Sequence, residues 1–328
     1  MKALVLGATG IIGNNLIRYL LKEGVEVRAV SRGVTPSLNL KGLDIEYSQG
    51  DIHEASFLKK AVRDCSLVFH TAPYYPLHPF HLKQHEEKAL SGLRTVLEVL
   101  KGSSINKLVY TSTLTTIGRP AKEGEMADET CSYHLKEIPH PYFWVKHLME
   151  EEVRSEAGKG FPIVIVNPTG CFGPFELKPP QLCLIPQLMN KKLPASIEGK
   201  INAVSIYDVA RGHWLASQKG RSGERYILGG HNITGGDLIR LICKIGKVAP
   251  PKFKIPTPLA AQLAKIVEAI SYYGFQKPSP MSLLGIRFIQ YGQHLNSQKA
   301  IHTLGYSISP LDPAIKDAIE WFESIKYC

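Results

Sequence analysis

The sequence predicts a doubly wound α/β fold: a parallel sheet covered by helices on both faces, with a smaller C-terminal region interleaved with it. Three observations predict it. Short apolar runs alternate with amphipathic stretches through residues 1–166. The runs are β-branched and almost continuously apolar, as strands buried on both faces require. The first of them, ALVL at 3–6, passes straight into GATGIIG at 7–13, where a helical pattern opens at Ile11.

Taken in order, strands are expected at 3–6, 25–30, 43–48, 66–71, 107–112 and 163–167. Amphipathic helices are expected between them at 11–23, 54–63, about 83–101 and about 141–157. After Pro168 the texture changes, and 168–200 is rich in Pro, Gly and Lys. A strand at 203–207, a helix at 209–218 and a strand at 225–228 follow, then helices near 234–246, 258–274 and 312–326. Residues 1–167 therefore read as a dinucleotide-binding Rossmann domain, to which 201–228 returns. Residues 168–200 and 229–328 read as a substrate-binding region, with no linker between the two.

Composition narrows the class. With 328 residues, 44% hydrophobic and 21% charged, the chain can bury a sizeable core. The apolar run behind Lys2 is too short for a signal peptide, and no stretch of about 18 apolar residues marks a membrane span. The six cysteines, at 65, 131, 171, 183, 243 and 328, form no CxxC and no zinc spacing. Reduced thiols in a cytoplasmic protein without a metal site are expected. Cys171 reads as a small buried residue. The net charge of +10 is spread along the chain without an arginine-rich run. It suits an anionic small molecule better than nucleic acid.

The loop spacing Gly7, Gly10, Gly13 is GxxGxxG in strand–turn–helix context. Glycine permits the tight turn, close approach of a pyrophosphate, and close helix–strand packing. Thr9, Ile11 and Ile12 complete the loop and the helix N-terminus, whose free N–H groups and positive dipole end attract phosphate. The next strand ends in Ser31 and Arg32, where an NAD site carries an acidic residue. A guanidinium can bind a 2′-phosphate that a carboxylate would repel. NADP(H) is therefore expected ahead of NAD(H), which stays possible if Arg32 is merely solvated or stacks on adenine. Asp51 and Ile52 follow the third strand. Asp51 reads equally as an adenine contact and as the N-cap of helix 54–63.

Tyr142 and Lys146 in HPYFWVK stand four apart, on one helix face. Thr111, Ser112 and Thr113 end the preceding strand, at the sheet edge where ligands of doubly wound folds collect. Hydride transfer between a nicotinamide and a carbonyl leaves charge on oxygen, so a proton donor must sit there. A phenol is too weak an acid alone, and a neighbouring ammonium brings it toward neutrality.

At this point the chain resembles the extended short-chain dehydrogenases/reductases, over nearly its whole length. The matching segments are GATGIIG (7–13), GDI (50–52), VFHTA (68–72), VYTST (109–113), YFWVK (142–146), NPTGCFGP (167–174), YDVARGH (207–213) and KAIHTLGY (299–306). RYILGG (225–230) and GLDIEYSQGDI (42–52) are similar to the dihydroflavonol-4-reductase-like subgroup, especially its hopanoid-associated sugar-epimerase-like branch. The resemblance implies Tyr142 as acid/base, Lys146 as its partner, and Thr113 in place of the usual serine, with Ser112 as the alternative. It implies that Thr71, Ala72 and Pro168 border the cofactor, with the 168–174 stretch lining the nicotinamide and substrate side. Tyr74 and Tyr75 are candidate substrate contacts or loop packing. Where the family carries Asn in an NVxGT motif, this chain has Ala89 in ALSGL.

Three activities remain open: an NADPH-dependent ketone or aldehyde reductase (or the reverse alcohol oxidation), an NAD-dependent nucleotide-sugar epimerase or dehydratase, and a non-catalytic NADP(H) sensor. Arg32 favours the first. So do Ile201 and Asn202, which stand where sugar-nucleotide enzymes often carry an arginine for the diphosphate; Lys200 is a less directional substitute. The intact Tyr142/Lys146 pair speaks against the sensor. The apolar 257–275 segment reads as a lid over a pocket for an apolar substrate, a packing helix or a dimer face. Family members are often dimeric through the helices after strands four and five.

Overall fold

The computed structural model describes residues 1–328 apart from 34–36, 73, 77, 123, 132–139, 179–182 and 278. The first half alternates strand and helix: β1 Lys2–Leu6, α1 Ile11–Lys22, β2 Glu26–Ser31, β3 Glu46–Gln49, α2 Ala55–Ala61, β4 Leu67–His70, α3 Leu82–Lys101, β5 Lys107–Thr111, α4 Pro141–Gly158 and β6 Ile163–Pro168. The second half contains β7 Gly170–Phe172, α5 Leu184–Met189, β8 Ala195–Ser196, β9 Lys200–Ser205, α6 Ile206–Lys219, β10 Arg225–Leu228, β11 His231–Thr234 and α7 Gly235–Ile245. It ends with β12 Phe253–Lys254, α8 Thr257–Ala269, α9 Leu283–Gln290, α10 Gln298–Leu304 and α11 Leu311–Ser324.

Seven strands form the main sheet in the order β10-β6-β5-β4-β1-β2-β3. Every pairing in it is parallel. The chain runs outward from β1 to β3, then crosses back to place β4 on the other side of β1. This reversal opens a crevice at the C-terminal ends of β1 and β4, the place where such sheets bind ligands.

Side chains alternate across each strand. Leu108 and Tyr110 of β5 enter the core beneath α2, α3 and α4, while Val109 enters the opposite core beneath α1 and α6. The sheet is therefore apolar on both faces, which explains strands without polar alternation.

The second half is less regular, and here the sequence reading differs most. β10 joins the main sheet beside β6. β9 does not; it forms a separate three-stranded sheet with β7 and β11. The expected strand at 203–207 ends earlier because Ser205 caps α6, its hydroxyl accepting the Tyr207 N–H at 3.3 Å. The expected 43–48 strand begins only at Glu46. The expected 258–274 helix ends as α-helix at Ala269 and continues as a wider π-helical segment, Ile270–Phe275. Part of the Pro-rich 168–200 stretch, residues 179–182, lies outside the described residues, as does Pro73 of the PYYP turn.

Candidate active site

The glycine loop closes against the end of β4. Gly7 has φ +91°, and a Cβ there would stand 2.6 Å from Ala72 Cβ. A Cβ on Gly13 would lie 2.3 Å from the Gly7 carbonyl oxygen and 2.7 Å from Thr71 Oγ1. Only glycine fits at either position. The Thr71 hydroxyl donates to the Leu6 carbonyl at 2.8 Å and ties the two strand ends together. Gly10 is the N-cap of α1 and offers no side chain to it. A Cβ at Gly10 would meet only the Gly7 carbonyl, at an ordinary 3.5 Å, so this side of the loop is open. The first intrahelical bond runs from Asn14 N to Gly10 O, which leaves the Ile11, Ile12 and Gly13 N–H groups without a helical acceptor. The Thr9 carbonyl is held by Asn39 Nδ2 at 2.9 Å. An open face of donor N–H groups at a helix start fits a pyrophosphate.

Beyond β2 the Arg32 side chain is exposed. Ser31 Oγ bonds Tyr47 Oη at 2.7 Å, and Tyr47 donates to the Gly33 carbonyl at 2.6 Å, which fixes the strand end that carries Arg32. Asp51 Oδ1 accepts the His53 N–H at 2.9 Å. The N-cap of α2 is Glu54, so Asp51 closes a turn ahead of the helix and does not cap it. Ile52 points into the core under α2, α3 and α4.

His140 and Pro141 start α4. The His140 ring accepts the Tyr142 N–H at 3.1 Å, and Pro141 occupies the first turn, where its missing N–H costs nothing. This start sets Tyr142, Lys146 and Glu150 on one face. The Tyr142 hydroxyl donates to Thr113 Oγ1 across 3.5 Å. Lys146 Nζ lies 5.4 Å from the Tyr142 ring centroid. Lys146 is 4% exposed and has no hydrogen-bond or ion-pair partner among the described residues. Burial alone lowers its ammonium from 10.5 to about 7.

One expectation is corrected here. The Tyr142 phenol is not brought toward neutrality in the protein alone: burial, then the nearby Tyr75, hold it above its ordinary range, and only the Thr113 hydrogen bond and Lys178 oppose them. Lys146 makes no hydrogen bond to the Tyr142 oxygen, and burial weakens its own hold on the proton.

The three hydroxyls separate because β5 ends at Thr111 and the chain then turns, with Thr113 as the N-cap of a short 3-10 turn, Leu114–Thr116. Thr111 Oγ1 bonds His213 Nε2 at 2.9 Å beneath α6, on the face away from Tyr142. That corrects the expectation that Thr111 joins the cofactor side. Ser112 Oγ donates to Glu150 Oε2 at 2.5 Å. Thr113 alone meets Tyr142. Glu150, 1% exposed, also accepts from Thr116 at 2.6 Å and Asn167 at 2.8 Å, and its other oxygen pairs with Arg225 at 3.0 Å. Asn167 Nδ2 reaches the Thr113 carbonyl at 3.2 Å, so this buried network holds the Thr113 backbone in place.

Tyr75 packs its ring 5.0 Å from that of Tyr142, while Tyr74 turns away and bonds His85 at 2.8 Å. Phe288 of α9 approaches Tyr142 at 5.3 Å and Phe143 at 5.5 Å. The phenol thus stands among aromatic rings. Pro168 ends β6 beside Leu228 of β10. Cys171 is a free thiol that burial pushes up to about 12, which makes it unreactive. Asn202 is occupied within its own sheet: it donates to Asn232 Oδ1 at 2.7 Å and accepts the Gly230 N–H at 2.8 Å.

Sequence reading missed Glu150, Arg225, Asn167 and Phe288. Glu150 had a signal, since it continues the Tyr142–Lys146 spacing by one more turn. The others come from distant elements.

Residues 3–229 match the NAD dependent epimerase/dehydratase family. The chain belongs to that family. It is an enzyme of the NAD(P)-dependent oxidoreductase type within the extended short-chain dehydrogenases/reductases. It is 31% identical to a Synechocystis protein named "Putative dihydroflavonol 4-reductase", over 98% of this chain and 95% of that one. It is 26% identical to "Sterol demethylase protein B" of Methylococcus capsulatus, over 98% of each. Among solved structures, a nucleoside-diphosphate-sugar epimerase from Pseudomonas aeruginosa superposes with a TM-score of 0.83 over 100% of this chain and 99% of that one. At 24% identity that likeness speaks to the fold.

Proposed function

We propose that this family member is an NADP(H)-dependent oxidoreductase that reduces a ketone or aldehyde, or oxidises the alcohol, with Tyr142 as acid and base. The reading is carried by one observation: the buried Tyr142 hydroxyl faces Thr113 Oγ1, with Lys146, which has no hydrogen-bond partner among the described residues, one turn along the same helix. The residues fit the cofactor that the family uses. The open N-terminus of α1 suits the pyrophosphate, Arg32 suits a 2′-phosphate, and Lys146 lacks among the described residues an acceptor that ribose hydroxyls would provide. Once bound, the dinucleotide supplies or accepts hydride.

Thr113 and Tyr142 orient the substrate oxygen between their hydroxyls. In reduction Tyr142 delivers a proton to that oxygen as negative charge develops on it. The nearby Lys146 cation stabilises the phenolate left behind. In oxidation the same phenolate removes the proton. The rings of Tyr75, Phe143 and Phe288 exclude water and favour an apolar, ring-bearing substrate. The relatives' names, a dihydroflavonol reductase and a sterol demethylase protein, agree with that class. Asn202, engaged within its sheet, offers no guanidinium to a sugar-nucleotide diphosphate. Residues 1–167 with β10 then bind the dinucleotide, and the rest shapes the substrate side.

Titration of the purified protein with NADPH and NADH, after identifying any nucleotide it carries, tests the reading. Freely exchanging NADPH, bound at least about tenfold tighter than NADH and consumed on adding carbonyl compounds, is expected. Tightly retained NAD would overturn it and direct the search to nucleotide sugars.

A further inference from the structure

The helix α8 with its π-helical extension carries its large apolar residues on the outside. Its inner face is made of Ala260, Ala261 and Ala264, packed against Leu283 and Ile286 of α9. Its outer face holds Leu259 (53% exposed), Leu263 (42%), Ile266 (57%), Ile270 (53%), Tyr273 (65%) and Phe275 (69%). Spacings of four, three, four and three put the first five in one continuous stripe, roughly 25 Å long with Phe275. A core helix would have these sizes reversed. Monomers in water rarely expose a contiguous row of this kind.

The charges around the stripe are mostly positive, with Glu198 and, just past 78–83, Glu86 and Glu87 as acidic exceptions. The flanking segments 78–83 and 252–277 contain Lys83, Lys252, Lys254, Lys265 and Lys277, all exposed, and a single carboxylate, Glu268, on the buried inner face. Lys254 is paired with Glu198 at 2.9 Å, and Arg287 of the adjoining α9 bonds Gln290. A second copy of the chain laid on this stripe would bring lysines toward lysines, which disfavours self-association. An anionic bilayer matches both the apolar row and the cationic rim. Among the described residues no helix is long and apolar enough to cross a membrane, so contact would be peripheral.

We propose that the outer face of residues 257–275 is an interfacial contact surface for an anionic lipid bilayer. The stripe side chains enter the boundary between headgroups and acyl chains, and the lysines meet the lipid phosphates. The surface adjoins the substrate side of the site: Tyr272 packs on His78 at 4.5 Å and Phe80 at 4.8 Å, a few residues after Tyr75. The contact is independent of which reaction the site performs.

Flotation of the purified protein with vesicles of phosphatidylglycerol and phosphatidylcholine, against phosphatidylcholine alone, tests this. Binding to the anionic vesicles is expected to be at least about tenfold stronger and to weaken with salt. The triple variant Leu263→Ser, Ile266→Ser, Ile270→Ser and the double variant Lys252→Glu, Lys265→Glu should each lose about tenfold or more while keeping the wild-type melting temperature. If the triple variant fails to fold, Ile266→Asp takes its place. No flotation of the wild type, or undiminished flotation of the apolar variants, would overturn the proposal. So would a wild-type dimer that the apolar variants dissociate, which would assign the stripe to a second copy.

Discussion

Ser112 and Thr113 are neighbours in sequence, yet their hydroxyls serve different structures: Ser112 donates to the buried Glu150 carboxylate at 2.5 Å, while Thr113 receives the Tyr142 hydroxyl at 3.5 Å. The split follows from the turn after β5: the strand ends at Thr111, and Thr113 caps the 3-10 turn Leu114–Thr116. Thr113→Val is expected to lower kcat by about 10- to 100-fold with little change in melting temperature. Ser112→Ala is expected to cost about 1–2 kcal/mol of stability and leave kcat within a few-fold. Steady-state kinetics and thermal melts of the two variants check both.

Arg32 stands exposed just past the end of β2, where a dinucleotide site holds the adenosine ribose. Arg32→Ala should weaken NADPH binding by about tenfold or more and NADH binding far less, because only NADPH carries the extra phosphate. Equal losses in a fluorescence titration would remove the 2′-phosphate assignment.

Lys146 gives a pH dependence with a definite sign. In the folded protein its ammonium loses its proton near 7, in the unfolded chain near 10.5. Between these values the unfolded state binds more protons, so stability rises with pH across the window and the penalty is constant below it. Lys146→Met should therefore stabilise the cofactor-free protein by up to a few kcal/mol near pH 6. That gain should shrink toward zero by about pH 10. Denaturant melts of both proteins from pH 6 to 10 measure the difference; a pH-independent gain would contradict the burial argument.

Glu150 and Arg225 form a pair with side chains only 2% and 12% exposed. Glu150→Ala leaves the guanidinium partly buried without its carboxylate and strips an acceptor from Ser112, Thr116 and Asn167. A loss of about 3–5 kcal/mol is expected in chemical denaturation.

The parts of the molecule legible in the sequence are those written locally. The glycine loop and its strand–turn–helix context lie within a dozen residues, and the Tyr142–Lys146 spacing is one helical turn. The parallel sheet was legible because strands buried on both faces leave no polar alternation. What stayed hidden depends on distant residues. Arg225 meets Glu150, and Phe288 meets Tyr142, only through the tertiary fold. The 201–228 stretch is expected to return to the main sheet, but β9, Lys200–Ser205, ends at the Ser205 cap and pairs with β7 and β11, and only β10 joins β6. A run of three hydroxyls gives no local sign that the strand ends at Thr111 and turns before Thr113, which is what parts Thr111 from the site.

The most direct test is the turnover of Tyr142→Phe, measured with its affinity for NADPH. The substitution removes one oxygen and keeps the aromatic packing against Tyr75 and Phe288. If Tyr142 moves the proton, kcat falls by at least about 100-fold while the NADPH dissociation constant changes less than about threefold. Turnover at the wild-type rate would contradict the account.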